Sequence, residues 1–128
     1  MFCLMVWQFA TEVNGQAEDT AYIKNVSVEE FKKVMDSLDH EVVIDLRTTQ
    51  ELKQGKIAGA KVIDFFGTDF EPALSRLDKS KTYLLYCASG GRSTETAALL
   101  KKMGFKNLYN LEGGFNGWVR KKMPVKNP

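Results

Sequence analysis

The chain has 128 residues, with 18 Lys and Arg against 16 Asp and Glu, one His, and a formal net charge of +2. That length fits one domain, and 44% hydrophobic with 27% charged residues is ordinary globular composition, not that of a disordered chain. No apolar run reaches the roughly 20 residues of a membrane helix, the charge is too slight to argue for nucleic acid, and two cysteines with no CxxC or Cys/His cluster argue against both a disulfide scaffold and a zinc site.

Residues 2–10 (FCLMVWQFA) are mostly apolar and lead into TEVNGQA and the acidic pair Glu18-Asp19. This order resembles the core and tail of a secretory signal, with Gly15 and Ala17 as the small residues before a cleavage after Ala17. The basic start of such a signal is missing, because no Lys or Arg precedes Lys24; a start further upstream would explain that. The alternative is a short strand or helix packed on the domain. The first reading gives an exported or periplasmic protein that loses Cys3, the second a cytoplasmic one. Residues 1–25 are set apart as an N-terminal segment, residues 26–122 as the domain, and residues 123–128 as a polar tail.

Ser27-Val28-Glu29-Glu30 has the form of a capping box. Phe31, Val34, Met35 and Leu38 follow at helical spacing as one apolar face, with Lys32, Lys33 and Asp36 off it. His40 reads as a solvated turn residue. Residues 42–46 (VVIDL) predict a buried strand. Thr48 or Thr49 can cap a short helix through Glu51, Leu52 and Lys53, stopped by Gly55. Residues 60–64 are a second strand candidate, and residues 70–77 a helix with Pro72 in its first turn. Residues 83–86 (YLLY) are apolar on both faces, which predicts a central strand.

A helix is expected from about residue 92 to 103, with Thr96, Leu99, Leu100 and Met103 as its buried stripe. Glu95 in its first turn and Lys101-Lys102 in its last suit the helix dipole, and Gly104 is a good stop. Residues 108–111 predict a fourth strand, and Gly113-Gly114 turns into a last short helix carrying Trp118 and Val119. Strands alternating with helices imply right-handed crossovers and a mostly parallel sheet covered on both faces, an α/β fold of three layers. Ligands of such sheets bind outside the carboxyl ends of the strands, where Cys87 lies.

Cys87-Ala88-Ser89-Gly90-Gly91-Arg92-Ser93 joins the central strand to the long helix. A nucleophilic cysteine works as a thiolate, which a helix N-terminus or a cation stabilises. Two glycines allow positive φ angles that turn N–H groups inward, making an anion cradle in front of the helix. Arg92 adds a permanent positive charge at the rim. The plain alternative is a buried strand-end cysteine followed by a tight glycine turn.

The loop CASGGRS resembles the active-site loop of the rhodanese-like sulfurtransferases. Asp45-Leu46-Arg47, Glu51 and the run Gly55-Lys56-Ile57-Ala58-Gly59-Ala60 resemble that family's upstream signature, and Leu111-Glu112-Gly113-Gly114-Phe115-Asn116-Gly117-Trp118 its closing motif. The matches stand in the family's order over about residues 26–122. The resemblance implies a small α/β domain that carries sulfur as a persulfide on Cys87. A small sulfur-containing anion such as thiosulfate is the implied donor, and cyanide, a thiol or a protein the acceptor. No metal or organic cofactor is implied, and a monomer is expected.

Four residues separate Cys87 from Arg92. The related cysteine phosphatases and arsenate reductases resemble a pattern one residue longer, so the short loop favours sulfur over phosphate. The chain departs from the family pattern at Lys56, often His, and at Ala58, often Pro. It departs again at Ala88, often basic in members that prefer thiosulfate. Without that cation, Arg92 and the backbone are expected to bind the anion, and a low-turnover sulfur carrier or interaction module becomes the alternative reading.

Asp45, Arg47 and Glu51 are expected to support the loop rather than do acid–base work, through an Arg–Glu pair beside the strand end. Ser89 and Ser93 are candidate donors to a persulfide, although Ser93 suits a helix cap equally. Phe115 and Trp118 read as core. Phe65, Phe66 and Phe70 either pack inside or line the rim of the pocket and select an apolar acceptor.

Overall fold

The structure, a computed structural model, describes residues 22–37 and 39–128. Cys3, the cleavage expected after Ala17 and the apolar position Leu38 lie outside the described residues.

The elements in chain order are β1 (Tyr22–Val26), α1 (Val28–Ser37), β2 (Glu41–Asp45), α2 (Thr49–Leu52), β3 (Lys61–Val62), α3 (Phe70–Ser75), β4 (Thr82–Tyr86), α4 (Gly91–Lys102), β5 (Asn107–Leu111) and α5 (Gly114–Arg120). The strands form one sheet in the order β1-β5-β4-β2-β3, and every pairing is parallel. As expected from its apolar run, β4 is the central strand.

Successive side chains of β4 point to opposite faces, and this alternation divides the core in two. Leu84 and Tyr86 pack with Val28, Phe31 and Val34 of α1 and with Phe115 and Trp118 of α5. Tyr83, Leu85 and Cys87 pack on the other face with Leu74 of α3 and Ala97 and Leu100 of α4. Helices therefore cover both faces, giving the three-layer α/β arrangement. The same alternation points Cys87 toward the layer that holds α4.

Local chemistry explains the helix starts. Ser27 Oγ accepts the Glu30 N–H at 3.1 Å, the first half of the expected capping box. Thr48, not Thr49, caps α2: its Oγ1 accepts the Glu51 N–H, and Glu51 Oε1 accepts the Thr48 N–H in return. Helix α4 buries Ser93, Thr96, Ala97 and Leu100, so its stripe sits three residues, about one turn, earlier than the spacing suggested, with Leu99 and Met103 at its margin.

Three features differ from the sequence reading. The sheet begins at Tyr22, inside the stretch assigned to an N-terminal segment, and β1 pairs along its whole length with β5. The strand expected over residues 60–64 is regular only at Lys61–Val62, although Ile63 and Phe65 still donate N–H groups to Asp45 and Leu46. The polar tail is docked: Trp118 Nε1 donates to Pro124 O at 2.7 Å, Lys56 and Lys126 form an antiparallel bridge, and Met123 and Val125 pack against the core. His40 is exposed in a bend, as expected.

Candidate active site

The carboxyl ends of β2 and β4 lie side by side, with Asp45 opposite Tyr86. Cys87 is the next residue and is buried. The chain then turns through Ala88 and Ser89 to Gly90, whose φ of +119° is the left-handed conformation that glycine adopts without strain. Of the two loop glycines only Gly90 needs this freedom; Gly91 is already the first residue of α4. The turn aims the Gly90 N–H at Cys87 Sγ, 3.1 Å away. It also directs the Gly90 carbonyl away from the sulfur, where the Ser93 and Thr94 hydroxyls donate to it.

Ser93 is buried, and its Oγ accepts from the Cys87 thiol at 3.6 Å while its own hydrogen goes to Gly90 O; once the thiol ionises, the hydroxyl turns to donate to the sulfur. Burial pushes the Cys87 thiol up, but hydrogen bonds from Ser93 and from the N–H groups of Ser93, Gly90 and Ser89 outweigh it, and the thiol sits below its usual range. The loop therefore stabilises a thiolate with neutral donors at a helix N-terminus.

Arg92 does not extend freely over this cradle. Its Nη1 and Nη2 each meet one oxygen of Glu51 at 2.8 Å, fork to fork. Arg92 holds the Glu51 carboxyl down to about 2 against the opposing effect of burial, with help from the Thr48 N–H and hydroxyl. The expected Arg–Glu pair thus exists but joins Glu51 to Arg92, while Arg47 turns elsewhere.

Arg47 is buried against Asp45. Its Nε lies 3.0 Å from Oδ1 and its Nη2 2.9 Å from Oδ2, and Nη2 also donates to Gly55 O at 2.7 Å. The guanidinium lies 3.9 Å from the centre of the Phe115 ring. Tyr86 donates its hydroxyl to Asp45 Oδ2 and accepts the Ile57 N–H at 3.1 Å. Burial first, then the Asp45 carboxylate, pushes the Tyr86 hydroxyl well above its ordinary range, so it remains a donor. This network ties β2, the end of β4 and residues 55–57 together behind the loop without touching the sulfur.

The sequence reading passes over one contact. Gly114 opens α5 with φ +57°, and a Cβ there would stand 2.5 Å from Ala88 O and 2.6 Å from Cys87 O. The next two N–H groups take those carbonyls: Phe115 N donates to Cys87 O at 2.8 Å and Asn116 N to Ala88 O at 3.0 Å. The Gly113-Gly114 pair was the available signal, since a double glycine at a helix start marks a close backbone approach.

Phe115 and Trp118 are core, as expected. Phe65 and Phe70 pack against the core cluster that holds Cys87, whereas Phe66 is 68% exposed beside Arg92. A cavity of about 380 Å³ between β3 and α3 is lined by Lys61, Asp64, Asp69, Phe70 and Arg76 among others, and no loop residue reaches it. Among the described residues no three His, Cys, Asp or Glu side chains converge as metal ligands, and no helix is long and apolar enough to cross a membrane.

A family model described as a rhodanese-like domain matches residues 27–121. The chain is 33% identical over 122 residues to the Rhodanese-like/PpiC domain-containing protein 12 of Arabidopsis thaliana, covering 91% of this chain and 41% of that protein. It is 26% identical to a sulfurtransferase of Allochromatium vinosum, over 83% of this chain and 97% of that one. Among solved structures, the polysulfide-sulfur transferase homodimer of Wolinella succinogenes superposes with a TM-score of 0.71 at 26% identity, over 97% of this chain and 93% of that one. The chain spans less than half the length of the first curated relatives it matches.

Proposed function

The chain belongs to the rhodanese-like domain family, and from that premise we propose that it is a sulfurtransferase that carries sulfane sulfur as a persulfide on Cys87. The observation that supports this most directly is the Gly90 N–H aimed at Cys87 Sγ from 3.1 Å in front of α4. The same donors that lower the thiol suit a terminal persulfide sulfur, which is also an anion.

With thiosulfate as donor, the Cys87 thiolate attacks the outer sulfur. A new S–S bond forms to Cys87, the old S–S bond breaks, and its electron pair leaves with sulfite. An acceptor such as cyanide or a thiolate then attacks the outer sulfur of the persulfide, and the Cys87 thiolate returns. Charge balances in both halves, and one hard transfer is divided into two through a covalent intermediate. The loop N–H groups act as fixed donors to the charge held at the sulfur.

The test is the intact mass of the protein after incubation with sulfane donors. A gain of one sulfur atom, lost in Cys87→Ser and discharged by cyanide as thiocyanate, is the expected result. Absence of that adduct with every donor tried would overturn the reading. A persulfide that forms readily but discharges only to a protein would instead favour the carrier reading.

A further inference from the structure

We propose that Phe66 and the Glu51-bound Arg92 together make this site select an organic persulfide with an apolar substituent over a dianionic donor. This deepens the sulfurtransferase reading and rests on it.

The electrostatic half of the argument starts from Arg92. Both terminal nitrogens of its fork are occupied by the Glu51 carboxylate. Its guanidinium also feels the Asp64 carboxylate and Cys87 itself. The cation of the loop is thus already paired fork to fork with a carboxylate before any donor arrives. Ala88 supplies no charge where a basic residue would help. A dianion approaching the Cys87 thiolate therefore meets a rim whose positive charge is already compensated, and must be held by the loop N–H groups alone. A monoanionic or neutral persulfide pays much less of this repulsion.

The apolar half starts from Phe66. A side chain of this size at 68% exposure is unusual beside a polar loop, and it is held there rather than loose. Asp64 Oδ1 accepts the Phe66 N–H at 2.9 Å, and Gly67 N donates to Asp64 O at 2.9 Å, so the residue sits at the tip of a closed turn. Its ring stands edge-on to Phe65, with centroids 5.2 Å apart, and Arg92 lies 5.6 Å from its centre. Phe65 anchors the turn in the core cluster that contains Cys87. The exposed face of Phe66 is thus a fixed apolar surface at the rim, and covering it with a substrate substituent is favourable by the ordinary hydrophobic effect.

The transfer balances without another reagent. The Cys87 thiolate attacks the outer sulfur of R–S–S⁻, the new S–S bond forms at Cys87, and the R–S thiolate departs with the electron pair of the broken bond. The substituent R stays outside the loop, where the Phe66 ring stands against Arg92.

The experiment compares kcat/KM for persulfide formation on Cys87 from benzyl persulfide and from thiosulfate, in the wild type, Phe66→Ala and Phe66→Leu. The expected result is a preference for benzyl persulfide that falls about tenfold in Phe66→Ala, the scale of burying part of an aromatic ring, mainly through KM, and falls less in Phe66→Leu. A wild-type preference for thiosulfate, or a donor ratio unmoved by both substitutions, would overturn the inference and leave the sulfurtransferase reading standing. Failure of both donors to load Cys87 would overturn that reading as well.

Discussion

Arg92 and Glu51 bind each other through both atoms of each fork, 2.8 Å apart at either end, and bridge the Cys87 loop to the cap of α2. The pair has a pH signature. Glu51 is held down to about 2 in the fold against an ordinary value of 4.5. A carboxyl lowered by folding contributes stability that is fully present above its unfolded value and is lost as pH falls through its folded one. Acid titration of the fold should therefore show wild type losing stability between about pH 4.5 and about pH 2, and Glu51→Gln, which can still close the capping box, losing less. Parallel curves for the two proteins in urea across that window would count against the linkage. The same variant leaves the charge of Arg92 without a carboxylate partner and should raise kcat/KM for thiosulfate.

Ser93 gives a second prediction. Its hydroxyl is the largest of the influences that lower the Cys87 thiol. In Ser93→Ala the thiol should titrate at higher pH, so the midpoint of iodoacetamide alkylation against pH should move upward. A hydrogen bond to a charged atom is worth roughly 1.5 kcal/mol, so persulfide formation at neutral pH should slow by about tenfold. Near the top of the alkylation profile, where both proteins are thiolates, the rates should converge. A uniform loss at every pH would mean that Ser93 acts only through packing.

How much of this was legible in the sequence depends on the range of the forces involved. The apolar run 83–86 could only be buried on both faces, and the Cys87 loop is a local pattern of small residues between a strand and a helix, so both could be read directly. Strand β1 could not, because YIKNV carries little alternation and is ordered by its pairing with β5, more than 80 residues away in sequence. The partner of Arg92 was hidden for the same reason: Glu51 precedes it by 41 residues and looks locally suited to Arg47. The tail read as polar because Trp118 Nε1 takes a backbone carbonyl, which no side-chain pattern announces.

Tyr86 and Asp45 carry a third prediction, one of stability rather than chemistry. In Tyr86→Phe the Ile57 N–H loses its acceptor and the Asp45 carboxylate loses one donor, both in buried surroundings. Leaving such groups unmet costs about 1–3 kcal/mol. Urea unfolding should show that loss, while the alkylation profile of Cys87 stays in place because the network does not touch the sulfur. A shifted profile would mean that the network also sets the loop.

Gly114 is where α5 reaches the Cys87 loop. The N–H groups that follow it hold Cys87 O and Ala88 O, and that grip fixes which way the loop peptides face. Ala88 O shares its peptide with the Ser89 N–H, one of the donors that lower the thiol, so the hold of Asn116 N on Ala88 O fixes which way that N–H faces. Gly114→Ala places a methyl 2.5 Å from Ala88 O in backbone that already has φ +57°, so the loop must give way. The strain alone, about 1–2 kcal/mol for a side chain in left-handed backbone, is not diagnostic. Gly59→Ala isolates it, because Gly59 has φ +83° with nothing within 4 Å of its Cβ. Both variants should be destabilised, but only Gly114→Ala should move the Cys87 alkylation midpoint upward and slow persulfide formation. If the two variants matched in every readout, α5 would be mere packing. If they separate as expected, the N-terminus of α5 is what orients the peptides that make Cys87 a thiolate.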